Sequence, residues 1–300
     1  MAIARINSDQ DFSKLKPGAR LRISGRLFEL QGTLGEGAMG KIFRATSGNI
    51  ELAVKFILEK FYLANQTTSQ ARFRRSALIS LSLPAHRGIV ATFDEGVLDG
   101  IRFVAMELVK TPTLQKQLEK GLRVSWRQTR RSILELLEVL ITIHSLGVTH
   151  RDIHPTNLFR TEGDEIRLFD WSASCLTVDA QVQDFKDPRF MQVNRNLTRH
   201  DDVVGHMGYA APEANPSTIV TAKTDIFPTA ILIHRLAHGV NPFKAARGED
   251  IQKKIRTEEP LLLNTPGVPR KLKDIISQGL SKRPEQRQNA MEMYMQIARL

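Results

Sequence analysis

The sequence predicts an α+β fold, with strands gathered at the front of the chain and helices behind them. Three observations carry this. Between Leu21 and Glu107, short segments alternate polar and apolar residues, the period of half-buried strands. Glycine-containing turns separate several of them. From Thr113 onward the apolar residues recur at helical spacing instead.

Size and composition bound the possibilities. A chain of 300 residues suits one or two domains. Its 41% hydrophobic and 25% charged content is that of an ordinary globular protein. No apolar run reaches the ~18 residues of a membrane span. Met1 to Gly18 has no apolar leader core, and Cys175 is the only cysteine, so a reducing, cytoplasmic setting is expected. The net charge of +11 favours anionic partners in general. Its basic residues are scattered, however, and the densest cluster is only Arg72-Phe73-Arg74-Arg75, so no nucleic-acid partner is expected.

The elements follow in order. Leu21–Ser24 and Arg26–Leu30 read as strands. Leu34-Gly35-Glu36-Gly37-Ala38-Met39-Gly40-Lys41-Ile42 comes next, and its glycines permit a turn whose amides can approach phosphate. A Walker A loop fits Gly35 to Lys41 but puts Ile42 where a metal-binding hydroxyl belongs. A dinucleotide fingerprint requires a helix next, and Lys41–Ala45 is strand-like instead. A third reading sets the turn between two strands and a lysine, Lys55, on a third strand in Ala53-Val54-Lys55. A plain glycine hairpin is the bland alternative.

Asn65–Leu83 reads as a helix stopped by Pro84. Ile89–Phe93 and Arg102–Glu107 read as two more strands around a turn at Leu98-Asp99-Gly100. Ser125 then caps a helix with a buried stripe of Ile133, Leu136, Leu137, Leu140 and Ile141, ended by Gly147. His150-Arg151-Asp152-Ile153-His154-Pro155-Thr156-Asn157-Leu158 follows. An Asp five residues before an Asn suits a loop in which one side chain handles a hydroxyl proton and the other holds a metal. Ile166–Phe169 alternates and delivers Asp170 at its end, 18 residues after Asp152. Val178–His200 is polar and irregular, an insertion or loop.

In this order Gly35, Gly37 and Gly40, Lys55, Asp152 and Asn157, Asp170, Glu213 of Ala211-Pro212-Glu213, Asp225 and Arg287 resemble the motif set of the protein kinase family. The resemblance covers about residues 26 to 298, and the pattern is most like bacterial Ser/Thr protein kinases. It implies a bilobal fold: a small antiparallel β-sheet lobe with one main helix, and a larger, mainly α-helical lobe, with ATP between. The implied divisions are an N-terminal extension, 1–25, an N-lobe, 26–109, and a C-lobe, 110–300. It implies ATP and Mg²⁺ as cofactors and a protein Ser/Thr hydroxyl as acceptor. Asp152, Lys55 and Asn157 are the implied catalytic residues, and Asn157 and Asp170 the metal ligands. Leu34, Gly35, Glu36, Gly37, Ala38, Gly40, Ile42, Ala53, Lys55, Met106, Glu107, Val109 and Leu158 are the implied nucleotide contacts. Asp225 would anchor the catalytic loop, and Arg287 would pair with Glu213.

Four departures stand beside it. Ser76 occupies the place of the helix Glu that pairs with the lysine, which leaves Asp170 or Glu59 to orient Lys55, or the activity weak. Trp171-Ser172 replaces Phe-Gly, and His154 replaces a Lys. His206 replaces the Thr that bonds the catalytic Asp and Lys, which predicts both imidazoles near Asp152. Two alternatives therefore stay open. One is a small-molecule phosphotransferase of the aminoglycoside or choline kinase type, which His154 favours. The other is a non-catalytic scaffold, which Ser76 favours.

Overall fold

The computed structural model describes residues 15–37, 40–58, 66–177, 206, 208–214, 220–243 and 248–300. The chain divides into two compact units. Among the described residues, the first holds 15–82 and 90–109, and the second holds 83–89 and 110–300.

The first unit is a sheet and a helix. Its strands are β1 (Arg20–Ile23), β2 (Arg26–Glu36), β3 (Gly40–Ser47), β4 (Ile50–Ile57), β5 (Thr92–Leu98) and β6 (Ile101–Glu107). They form one six-stranded sheet, ordered β1-β2-β3-β4-β6-β5, in which every neighbouring pair is antiparallel. Alternation explains the sidedness: Leu21, Ile23, Phe28, Leu30 and Phe43 turn inward while their neighbours face outward. The central strand β4 is buried from Leu52 to Ile57, and its Phe56 ring meets Phe43 edge-on at 5.9 Å. The helix α1 (Gln66–Ser82) lies on β5 and β6 and buries Phe73 and Ala77 in the same core. Its buried hydroxyls are satisfied inside the helix, Ser76 to the Phe73 carbonyl and Ser80 to the Ala77 carbonyl, each at 2.8 Å.

One strand lies further along than the alternation implies. The segment Ile89–Phe93 is not itself a strand; β5 starts at Thr92 and runs through Asp94-Glu95-Gly96. Ile89 is buried because it bridges Leu168 in parallel register within the second unit. Apolar residues there mark a packing contact, whereas an edge strand carries charge and has no clean period. The predicted turn is present, with Asp99 and Gly100 both at positive φ, 47° and 79°.

The second unit is mainly helical. It contains α2 (Leu114–Glu119), α3 (Trp126–Ser145), α4 (Ile226–His238), α5 (Gly248–Thr257), α6 (Leu272–Gly279) and α7 (Ala290–Ala298). Ser125 caps α3 through a complete capping box with Gln128. Ile133, Leu136, Leu137, Val139, Leu140 and Ile143 are fully buried, while Ile141 is only half-buried. Each such burial contributes about 1.5–3 kcal/mol relative to an exposed side chain. The helix α3 packs on α4 and α7, and α4, apolar on nearly every side, packs on α6. Two small antiparallel pairs frame the loop of interest: β7 (Val148–Thr149) with β10 (Cys175–Leu176), and β8 (Leu158–Arg160) with β9 (Ile166–Leu168). This α+β arrangement, sheet unit first and helical unit second, is the one the sequence predicts.

Candidate active site

In the first unit the glycine turn joins β2 to β3. Gly35 pairs with Ile42 and Glu36 with Lys41, and the Gly37 amide donates to the Gly40 carbonyl at 2.9 Å. Gly40 is there for lack of room. A Cβ on it would stand 2.8 Å from Lys55 Cε and 2.8 Å from the Phe56 carbonyl. Ile42 pairs with Lys55 and Ala53 with Met106, so three predicted contact positions lie across adjacent strands from the lysine or beside it. Lys55 is buried. Leu34 is half open to solvent, and the Glu107 amide donates to the Ala91 carbonyl. Ser76 commits its proton to its own helix and carries no charge. Ala38 and Glu59 lie outside the described residues.

In the second unit the loop after β7 carries the predicted catalytic residues Asp152 and Asn157. His150 N and Arg151 N donate to the two carboxylate oxygens of Asp225 at 2.9 and 2.7 Å. His144 Nε2 reaches the same Asp225 Oδ2 at 2.9 Å. These contacts pin the backbone just before Asp152 and support Arg151 at φ 68°, a conformation that side chains resist. Beyond it, Pro155–Asn157 forms one 3₁₀ turn with His154 as its N-cap. The turn folds Asn157 back: its Nδ2 donates to Asp152 Oδ2 at 2.8 Å and to the Asp152 carbonyl at 3.0 Å. Leu158, fully buried, opens β8. Across the hairpin β9 ends two residues before Asp170, which sits at φ 65° and accepts from Ser172 N and Ser172 Oγ at 3.2 and 2.6 Å. Trp171 is buried against the His150 ring, 4.8 Å away and edge-on.

Both imidazoles predicted near Asp152 are beside it. His154 Nε2 stands 3.2 Å from Asp152 Oδ1, and the His206 amide donates to that same oxygen at 3.0 Å. The two rings pack tilted against each other, with centroids 4.7 Å apart. His206 also meets Tyr209 edge-on, and Arg235 donates to the Tyr209 hydroxyl at 2.7 Å. Asn241 Nδ2 donates to the Gly208 carbonyl, which fixes this short segment to the loop after α4. Glu213 is held by Arg287 through both carboxylate oxygens, at 2.6 and 2.8 Å. Arg287 is fully buried, bonds three backbone carbonyls as well, and lies over the Phe227 ring. Arg235 and His144 carry no motif in the sequence, while Tyr209 and Asn241 lie in the motif-like segments Gly205–Glu213 and Asn241–Phe243, whose contacts the sequence does not reveal.

The charges follow from these contacts. Burial by itself would raise the Asp152 pKa, but the interactions with His154, and then with His150, hold it below the usual carboxylate value. Asp152 is therefore ionised at neutral pH. Burial pushes the pKa values of His150 and His206 down, and His154 lowers that of His206 further, so both stay neutral there. Burial also raises the Tyr209 hydroxyl, which stays protonated.

The donor set suits a hard divalent cation. With Nδ2 turned to Asp152, Asn157 has its Oδ1 left as an acceptor, and Asp170 supplies a carboxylate. Among the described residues no group of three or more His, Cys, Asp or Glu could hold a metal alone. No helix among the described residues is long and apolar enough to cross a membrane.

Comparison with known proteins gives a consistent picture. The family model described as protein kinase domain matches residues 28–296. A probable serine/threonine-protein kinase of Streptomyces coelicolor is 28% identical over 92% of this chain and 40% of its own length. The serine/threonine-protein kinase pkn3 of Myxococcus xanthus is 27% identical over 89% of this chain and 48% of its own. The serine/threonine-protein kinase PrkC of Bacillus subtilis is 26% identical over 90% and 40% respectively. The chain thus spans less than half the length of these curated relatives.

Proposed function

We propose a specific reaction for this chain, which belongs to the protein kinase family: transfer of the ATP γ-phosphoryl group to a Ser or Thr hydroxyl of a protein, in the cytoplasm. The observation that carries the reading is Asp152, ionised and held by Asn157 and His206 in the loop whose next strands lead to Asp170. The names of the relatives support the choice of a Ser/Thr acceptor.

In this reading the chain's residues divide the work. Lys55 and the amides of Gly35, Gly37, Ala38 and Gly40 hold phosphates. Leu34, Glu36, Ile42, Ala53, Met106, Glu107, Val109 and Leu158 contact the rest of the nucleotide. Asn157 and Asp170 hold Mg²⁺, which when bound neutralises charge on the phosphoryl oxygens. Asp152 orients the acceptor hydroxyl and takes its proton. A carboxylate with a lowered pKa is a weak base, so its main service is orientation, with proton transfer late in a loose transition state. Removing such a base costs about 10²–10⁴-fold in rate. Incubation with labelled ATP and Mg²⁺, wild type beside Asp152→Asn, tests this. Incorporation into a generic protein substrate that drops at least 100-fold in the variant is expected; equal incorporation, or none in either, removes the claim.

A second reading rests on His154, whose imidazole lies at Asp152 where protein kinases carry Lys. It makes the acceptor a small alcohol. Phosphorylation of an aminoglycoside or choline, with none of protein, would establish it. The Glu213–Arg287 pair, with its protein kinase pattern, favours the protein acceptor.

A further inference from the structure

We propose that His154 is a positioning residue that saturates one carboxylate oxygen of Asp152, so that the acceptor hydroxyl is received by the other, Oδ2. This rests on the kinase reading above and adds the atom that takes the proton and the group that selects it.

The argument starts from the tautomer. His154 is 5% exposed and caps the 3₁₀ turn, where its Nδ1 accepts the Thr156 amide proton at 3.3 Å. A ring nitrogen that accepts carries no proton, so the ring proton belongs on Nε2. Nε2 is the atom 3.2 Å from Asp152 Oδ1. The ring cannot swing away. It packs tilted against His206 at 4.7 Å and Tyr209 at 6.1 Å, and Arg235 holds the Tyr209 hydroxyl.

A count of lone pairs then separates the two oxygens. Oδ1 receives the His206 amide and has His154 Nε2 standing 3.2 Å from it, so both of its sides are occupied. Among the described residues Oδ2 receives one donor, Asn157 Nδ2, which leaves it one position. The hydroxyl proton therefore goes to Oδ2. In the step, the acceptor O–H bond breaks and its proton passes to Oδ2, while the acceptor oxygen bonds the γ-phosphorus. The bridging P–O bond breaks and its electron pair leaves with ADP. Throughout, His154 keeps its proton and donates to Oδ1. Without that donor, Oδ1 competes for the hydroxyl and the carboxylate can rotate away from Asn157.

Two variants and one spectrum test this. His154→Leu keeps much of the volume and removes the donor; His154→Gln keeps an amide N–H at about the Nε2 position. For the active wild type, kcat should fall about 10–100-fold in His154→Leu with the ATP KM unchanged, and recover at least fivefold in His154→Gln. Long-range ¹H–¹⁵N correlation on histidine-labelled wild type should show His154 protonated at Nε2 alone, with that signal displaced in Asp152→Asn. Equal losses in the two variants, or a proton on Nδ1, overturn the proposal while leaving the kinase reading intact. Absence of turnover in the wild type overturns the kinase reading itself, and this role with it.

Discussion

At the scale of single residues, the two sites that most constrain function are Gly40 and His206. Gly40→Ala would set a methyl 2.8 Å from both Lys55 Cε and a backbone carbonyl of β4. The carbonyl cannot move without the sheet, so the lysine stem shifts or the glycine turn opens. Overpacking of this kind costs about 1–3 kcal/mol. The expected outcome is roughly a tenfold or greater rise in the Kd of Mg–ATP, read by calorimetry; unchanged affinity would show that the turn accommodates the methyl. His206 governs pH. It faces His154, Asp152, Tyr209 and Arg235, and its pKa lies below the ordinary imidazole value, so it is neutral at pH 7 and gains charge only in mild acid. A cation there lowers the basicity of Asp152, whose own titration lies far lower. Turnover should fall as the pH drops below the ordinary imidazole value of about 6.5, and less steeply in His206→Gln. Superimposable profiles for the two proteins would defeat this. Their difference cancels the titration of ATP. The sequence placed both histidines near Asp152, because the motif that carries each one is local. It did not place the His206 amide on Oδ1, because a main-chain donor leaves no mark in residue identity.

At the scale of elements, a few buried polar contacts hold the apolar helices to the loop that carries Asp152. Asp225 is one. Burial would raise its pKa, but His144, then His150 and the Arg151 amide, hold it below the unfolded value of about 4. The unfolded chain thus binds this proton more readily than the folded one. The stabilisation is full above about pH 4 and is lost as the pH falls through the lower folded value. Asp225→Asn should therefore lower the melting temperature at pH 7, with the gap from wild type closing toward pH 3; a constant gap would contradict the linkage. The Arg287–Glu213 pair is the other. Breaking a buried pair from one side costs about 3–5 kcal/mol, because the remaining charge stays buried. Arg287→Met should cost that much in urea unfolding, and adding Glu213→Leu should restore part of it. Additive losses would mean the two residues do not act as a pair. Both pairings were legible as motif positions. The edge strand β5 was not, because its charge masks the period, nor was the Tyr209–Arg235 bond, whose partners lie 26 residues apart with no local pattern linking them.

At the scale of the whole molecule, the question is whether the nucleotide machinery and the catalytic loop serve one reaction. Lys55 and the glycine turn belong to the first unit, Asp152, Asn157 and Asp170 to the second. If the chain is a kinase, binding and turnover must be separable by substitution. A ligand that binds only the folded state stabilises it by RT ln(1 + [L]/Kd), about 2.7 kcal/mol at a hundredfold excess over Kd. For a chain of this size that is a rise of roughly 5–10 °C in melting temperature. Mg–ATP should raise the melting temperature by this amount in wild type and equally in Asp152→Asn, which keeps every proposed phosphate and metal residue. Lys55→Met should abolish most of the shift. Ser76 adds a particular edge to the experiment, because a serine cannot supply the charge that usually orients the lysine. A wild type that shifts strongly but does not turn over is a nucleotide-binding scaffold. One that neither shifts nor turns over has lost the site at Lys55. Only a shift shared by wild type and Asp152→Asn, with turnover confined to wild type, agrees with phosphoryl transfer at Asp152.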